Sequence, residues 1–448
     1  MKTSANRARF ALLSTFILSL FTYSSPLLAS DPIPAPKQKE PIAIIGATIH
    51  TLSGADVQGG TIVFDKGKIV SVGVGVPIPA DAEKVDATGK HVYPGLIDAS
   101  TTLGLYEIGS VRGTLDMAET GPLNPNARAE VAVNPESELI PVARSNGIAI
   151  AASSPEGGLI SGTIAAIMTD GWTGDEMTLR APLGLVVNWP QMSYVPNSFS
   201  RQTKEEWLKQ RDDQLKSLRK AFADARAYAT AKKAENQKGI PYHDTDSRWE
   251  AMIPVLEGKI PVFVHADDLS QIQAAITWSE EEQVKIVLVG GHDAWRVAEQ
   301  LVAKHTPVIV NEIQSAPLQA WEPYDLVFSL PKRLKDAGVA FCISGSSDPS
   351  FSRNVPYQAA TAAAYGLSKE DAIKSITLYA AQVLGIADRV GSLEAGKDAT
   401  LFISTGDPLE PSSTVEQLYI EGKKVDMRDK HKQLYEKYRE KYKQVGGQ

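Results

Sequence analysis

The chain has 448 residues and a mass of 48.3 kDa, more than one small core needs and suited to a large domain beside a smaller one. Hydrophobic residues make up 43% and charged residues 22%, which excludes wholesale disorder, and a net charge of −7 gives no basic field for nucleic acid. The single cysteine, Cys342, excludes an internal disulfide and a four-cysteine zinc site, while seven histidines suffice for one metal centre.

The chain opens on an address. Lys2, Arg7 and Arg9 precede an apolar run from Phe10 to about Tyr23, and small residues follow up to Ser30. A basic start, an apolar core and a small-residue exit form a secretory signal. The run is short for a bilayer span, which takes about 20 apolar residues. Residues 1–30 are therefore expected to be removed, leaving a periplasmic or secreted protein with no stable membrane anchor. Residues 31–41, rich in Pro and Lys, read as a leader.

Residues 42–93 alternate short β runs with turn signals, and Asp65-Lys66-Gly67-Lys68 predicts a hairpin corner. Strand patterns return at 399–404 and 415–425, so segments 42–93 and 391–427 are expected to pair into a small β-sandwich built from both chain ends. Between them, residues 94–390 carry eight apolar runs, at 92–99, 148–152, 164–168, 184–188, 262–265, 285–289, 308–311 and 339–344, with helical patterns between. Continuous apolar runs mark strands buried on both faces, and the span fits an α/β fold of the (β/α)8 TIM-like barrel type. A doubly wound sheet is the rival, but its Gly-rich nucleotide turn is missing.

Inside the barrel, the charged stretch 204–238 reads as an inserted, solvated helix laced by i,i+4 pairs. The tail 428–448 carries seven lysines and arginines against three acids. Its Leu434, Tyr435, Tyr438 and Tyr442 fall at helical spacing, a stripe expected to dock on the protein itself.

Active sites of such barrels lie at the carboxyl ends of the strands. His265 closes the fifth run and is followed by Ala266-Asp267-Asp268, which can cap the next helix. His292 closes the sixth, and Asp348 follows the eighth. Imidazoles and a carboxylate are ligands that zinc accepts, and water on such an ion becomes a nucleophile near neutral pH. The plain alternatives are rim histidines held by hydrogen bonds and a turn-forming aspartate in Ser346-Ser347-Asp348-Pro349. The stretch 391–397 has phosphate-loop spacing, but Asp398 replaces the required Ser/Thr. No G-x-S-x-G elbow and no H-E-x-x-H pair occur.

Tyr93-Pro94-Gly95-Leu96-Ile97-Asp98 resembles the opening of the first barrel strand in the amidohydrolase superfamily, imidazolonepropionase-like branch. The closing stretches 372–377, 385–398 and 406–409, and Gly157-Gly158-Leu159-Ile160-Ser161-Gly162, resemble it too. The resemblance runs from about Ile42 to Val425. It implies a barrel beside a β-sandwich, metal-dependent hydrolysis of non-peptide C–N bonds in small amides or cyclic amides, and a small-molecule substrate. It also implies assembly with itself or with a homologue. By that resemblance His265 and His292 match metal ligands and Asp348 the acid/base; apart from it, Arg353 is expected as a substrate-binding group at the mouth.

The departures bear on the chemistry. Family members continue the first motif as D-x-H-x-H, whereas Ser100 and Thr102 stand at those histidine positions here, and Asn188 stands where a bridging lysine or glutamate belongs. Hydroxyls are poor zinc ligands. The expectation is at most one divalent ion, zinc first, or none. Three functions remain open: a hydrolase with a reduced metal site, a degenerate barrel serving as a binding module or partner subunit, and a metal-free enzyme.

Overall fold

The computed structural model describes residues 33–195, 202–235 and 244–446. The expected signal segment 1–30 and the end of the charged stretch, 236–238, lie outside the described residues.

Five strands come first: β1 (Ile42–Ile49), β2 (Val57–Asp65), β3 (Lys68–Gly73), β4 (Glu83–Asp86) and β5 (His91–Pro94). The β2–β3 corner is the predicted hairpin. Asp65 pairs with Lys68, and Lys66 and Gly67 hold positive φ values of 49° and 79°, the turn whose twist suits the flanking strands.

Then follow β6 (Leu96–Thr101), β7 (Ile148–Ser153), β8 (Ile160–Met168), β9 (Thr178–Asn188), β10 (Val262–Ala266), β11 (Ile286–Gly290), β12 (Val308–Val310) and β13 (Phe341–Ile343), neighbours in chain order within one sheet. Each of the eight apolar runs is a strand. An all-parallel barrel is not what forms, because β8 runs antiparallel to both β7 and β9. Loop length is the reason: only residues 154–159 and 169–177 connect these strands, while a parallel crossover takes about a dozen residues or more.

The barrel is nearly closed, and side chains bridge its seam. Ser100 N donates to Ser344 Oγ (2.9 Å), and Gly345 N donates to Asp98 Oδ1 (3.1 Å). Ser344 Oγ also reaches Asp98 Oδ1. Thr102 donates to the Ser347 carbonyl from its amide (3.1 Å) and from Oγ1 (2.8 Å).

The helices are α1 (Ala129–Ala132), α2 (Leu139–Arg144), α3 (Gly174–Met177), α4 (Lys204–Ala234), α5 (Ser247–Leu256), α6 (Leu269–Glu282), α7 (Ala298–Ala303), α8 (Leu326–Asp336), α9 (Val355–Ala364), α10 (Lys369–Ser375), α11 (Leu378–Val383) and α12 (Lys430–Gln444). The charged helix α4 is more than a solvated face. Leu218, Ala221, Phe222 and Ala225 are buried, and Phe222 meets Trp278 of α6 edge-on. The period of four small and apolar residues within a charged background escaped the compositional view. Among the described residues, no helix is long and apolar enough to cross a membrane.

The chain's last strands, β14 (Leu401–Ser404), β15 (Val415–Ile420) and β16 (Lys423–Lys424), join the first ones: β14 lies antiparallel to β5. Both chain ends thus share one continuous hydrogen-bonded sheet, in the order β16-β15-β14-β5-β1-β2-β3 with β4 beside β1. Its own core includes Ile44, Ile62, Phe64, Leu401 and Tyr419.

The tail departs from expectation. No residue of α12 is buried; Tyr435, Tyr438 and Tyr442 are 64%, 48% and 67% exposed, so the stripe is not docked on the protein. The helix is held by its first turn instead. Asp429 Oδ1 accepts from the amides of His431 (2.7 Å) and Lys432 (3.0 Å), and the His431 ring meets Arg353.

Candidate functional site

The carboxyl ends of β9 to β13 surround a cavity of about 620 Å³. His265, next to last in β10, stands in register with Asn188 of β9 and Val289 of β11. Protein packed around it, with no compensating charge, pushes its imidazole down to about 4. The ring is therefore neutral at ordinary pH.

Asp267 follows β10 directly and lines the same cavity. Desolvation by the flanking protein raises its carboxyl above the usual range, while the side chain stays open to the cavity. Its place depends on a glycine: Gly290 ends β11 with φ +93°, and a Cβ there would come 2.3 Å from Asp267 Oδ1. The neighbouring Asp268 does the capping that the sequence suggests, its Oδ1 accepting from Gln271 N at 2.9 Å while Gln271 Oε1 accepts from Asp268 N at 3.2 Å.

His292 also lines the cavity, but its Nε2 is committed to Glu322, 3.1 and 3.0 Å from the two carboxylate oxygens. The same carboxylate accepts from the amides of Leu318 (2.9 Å) and Gln319 (3.2 Å). Sequence analysis did not single out Glu322. It lies between β12 and α8, where no periodic pattern or motif marks an acid that folds back on a histidine.

Two further groups face the cavity. Asn311, just past β12, has a buried Oδ1 with no hydrogen-bond partner. Glu156, from the loop before β8, has its carboxyl raised by burial.

Of the other expected site residues, Asn188 lines the cavity and the rest do not. Asp348 caps the 3-10 turn Pro349–Asn354, accepting from Ser350 N at 2.9 Å, and the adjacent Ser347 takes the place on the cavity wall. Arg353 meets His431 of the tail, and its carbonyl accepts from Asn146 at 2.6 Å. Ser100 and Thr102 belong to the barrel seam. Asn188 is on the wall, its Nδ2 donating to Gly158 O and Ser161 Oγ, both at 2.9 Å.

These donors do not fit a metal ion. Among the described residues, no three His, Cys, Asp or Glu side chains stand together as a ligand set. The His292 nitrogen that faces a carboxylate is already paired, and the two first-strand positions offer hydroxyls of the seam rather than imidazoles. What the arrangement offers is a neutral imidazole, a raised carboxyl, a clamped histidine and an unsatisfied acceptor around one polar cavity.

Residues 327–425 match the model of the Amidohydrolase family. The chain is 22% identical over 398 residues to Amidohydrolase tasK of Hapsidospora irregularis, covering 81% of this chain and 39% of that protein. It is 36% identical over 75 residues to Imidazolonepropionase of Porphyromonas gingivalis, covering 16% of this chain and 18% of that one. The chain thus spans well under half the length of these curated relatives. The crystal structure of an amidohydrolase from Thermotoga maritima MSB8 superposes with a TM-score of 0.77 at 29% identity, covering 86% of this chain and 100% of that one.

Proposed function

We propose, for a chain that carries an amidohydrolase-family domain, that the cavity at the strand ends hydrolyses C–N bonds of small amides or cyclic amides. The observation that carries this reading is one cavity, open to water, lined by neutral His265 and by Asp267, whose carboxyl is raised above its usual range. A carboxylate with a raised pKa holds a proton more readily, which is what proton transfer needs.

Asp267 takes a proton from water as its oxygen bonds the substrate carbonyl carbon, then returns it to the nitrogen as the C–N bond breaks. Neutral His265 donates a hydrogen bond to the developing oxyanion. Asn311 lines the cavity beside them, and Glu322 fixes the His292 ring that closes one wall. No step is routed through a metal, because the ligand set does not fit one.

The test is turnover of a panel of N-acyl amines and cyclic imides by the mature protein, with Asp267→Asn and His265→Ala beside it. Turnover lost in both variants while the fold persists supports the scheme; unchanged rates refute it.

A second reading, a degenerate barrel that binds without turnover, is favoured by the pairing of His292 with Glu322 and by the seam role of Thr102. Saturable binding of an amide with no product from any of the panel would establish it. Export completes the proposal: the signal-like residues 1–30 are removed, the mature chain acts in the periplasm or outside the cell, and its partner in chemistry is a small molecule rather than nucleic acid.

A further inference from the structure

The tail helix α12 presents a face that its own chain does not cover. At about 100° per residue, Leu434, Tyr435, Tyr438 and Tyr442 share one arc, all of them exposed. Lys437 and Lys441 border that arc on one side, Lys432, Arg439 and Lys443 on the other, and Glu436 and Glu440 fall opposite. Arg439 lies 5.6 Å over the Tyr435 ring and Lys441 lies 5.7 Å over the Tyr438 ring. An apolar centre with a charged rim is the anatomy of a protein interface, and tyrosine and arginine are the residue types that dominate binding energy there.

The complement is on the same chain. Asp116, Glu119, Glu136 and Glu138 are exposed in the stretch before α2, and Ile108, Val111 and Val131 of that stretch are exposed too. The tail is basic while the chain as a whole carries −7, so two α12 helices repel each other whereas α12 and the acidic stretch attract. Helix α12 contacts α2, which follows the acidic stretch directly. Within one chain the tyrosine face of α12 points to solvent.

We propose that a second copy of this chain covers α12, its acidic stretch 107–138 receiving the tyrosine face. Reciprocity about a two-fold axis makes the contact self-complementary and closed, so that each copy gives one helix and receives one. Residues 117–121 of the acidic stretch run beside the cavity wall, where Glu156 N donates to Met117 O (2.6 Å) and Gly158 lies against Gly121. The partner's helix therefore lies near the cavity mouth.

Sedimentation velocity of the mature full chain tests this, beside a Tyr435→Ser/Tyr438→Ser/Tyr442→Ser variant, whose exposed positions leave folding intact by circular dichroism. The expected result is a dimer whose dissociation constant rises at least about 30-fold in the variant, the loss of one hot spot. A Lys437→Glu/Arg439→Glu/Lys441→Glu variant is expected to dissociate likewise, and to be recovered by mixing with chains bearing Asp116→Lys/Glu119→Lys/Glu136→Lys. A monomer at all concentrations, or a dimer indifferent to the tyrosines, overturns the proposal. So does wild-type protein that stays monomeric and co-sediments with phosphatidylglycerol vesicles, which assigns the face to lipid.

Discussion

His265 ties stability to pH in a way that can be measured apart from activity. Folding holds its imidazole near 4, against about 6.5 in an unfolded chain, because the surrounding protein disfavours the charged ring. Between those values the unfolded state binds the extra proton, so stability rises with pH across the window. The contribution is complete above about 6.5 and is lost as pH falls towards 4. Between pH 7 and pH 5 the difference is about 2 kcal/mol at 1.36 kcal/mol per unit. The raised carboxyls of Asp98 and Asp267 act with the opposite sign, keeping protons that the unfolded chain has given up, so wild type alone does not isolate the histidine. The His265→Gln variant does, since the carboxyls are common to both proteins. Urea unfolding at pH 5 and pH 7 should show wild type losing about 2 kcal/mol more than the variant on acidification. Equal losses would refute the burial argument, and with it the neutral imidazole in the proposed mechanism.

Gly290→Ala places a Cβ against Asp267 Oδ1 at a positive φ, and is expected to reduce turnover by displacing the carboxylate and to lower stability by about 1–3 kcal/mol, read by steady-state kinetics and urea unfolding. Glu322→Gln keeps the shape but weakens the hydrogen bonding to His292; the expected cost is about 1–3 kcal/mol by urea unfolding, together with a lower kcat. Phe222→Ala should cost about 3–5 kcal/mol by thermal or urea unfolding if α4 is an integral wall, whereas a solvated insertion would lose almost nothing. For Ser100→His/Thr102→His, elemental analysis after zinc reconstitution is expected to find metal in the double variant and none in wild type; a full equivalent in wild type would contradict the donor geometry.

Fold was more legible in the chain than the site, and particular residues show why. Each barrel strand announced itself because burial on both faces demands continuous apolar residues, and the Lys66-Gly67 corner because its backbone favours glycine. The direction of β8 was equally written in the shortness of residues 154–159 and 169–177, but only if connection length is weighed along with hydrophobicity. That His265 and His292 share one cavity was legible because strand ends point to one mouth. Glu322 and Asp267 were not: one folds back from an irregular segment, and the other sits beside Asp268, a helix cap that absorbs the same signal. Asp348 illustrates the converse, an acid at the expected place in the sequence whose carboxylate is consumed by its own turn. The tail stripe was visible, yet periodicity gives only a face and never its partner.

The barrel seam sets how freely the first strand accepts new side chains at positions 100 and 102. At position 100 the closure runs through main-chain atoms, the amide donating to Ser344 and the carbonyl within reach of the same hydroxyl. Any side chain that fits keeps those bonds. At position 102 the closure also uses the side chain, and replacing Thr102 forfeits its bond to the Ser347 carbonyl, about 1 kcal/mol. Substitution is therefore limited by fit alone at buried position 100, and by fit together with a lost bond at position 102. The Thr102 hydroxyl is thus a fastener as well as a side chain, part of the joint that keeps the barrel shut.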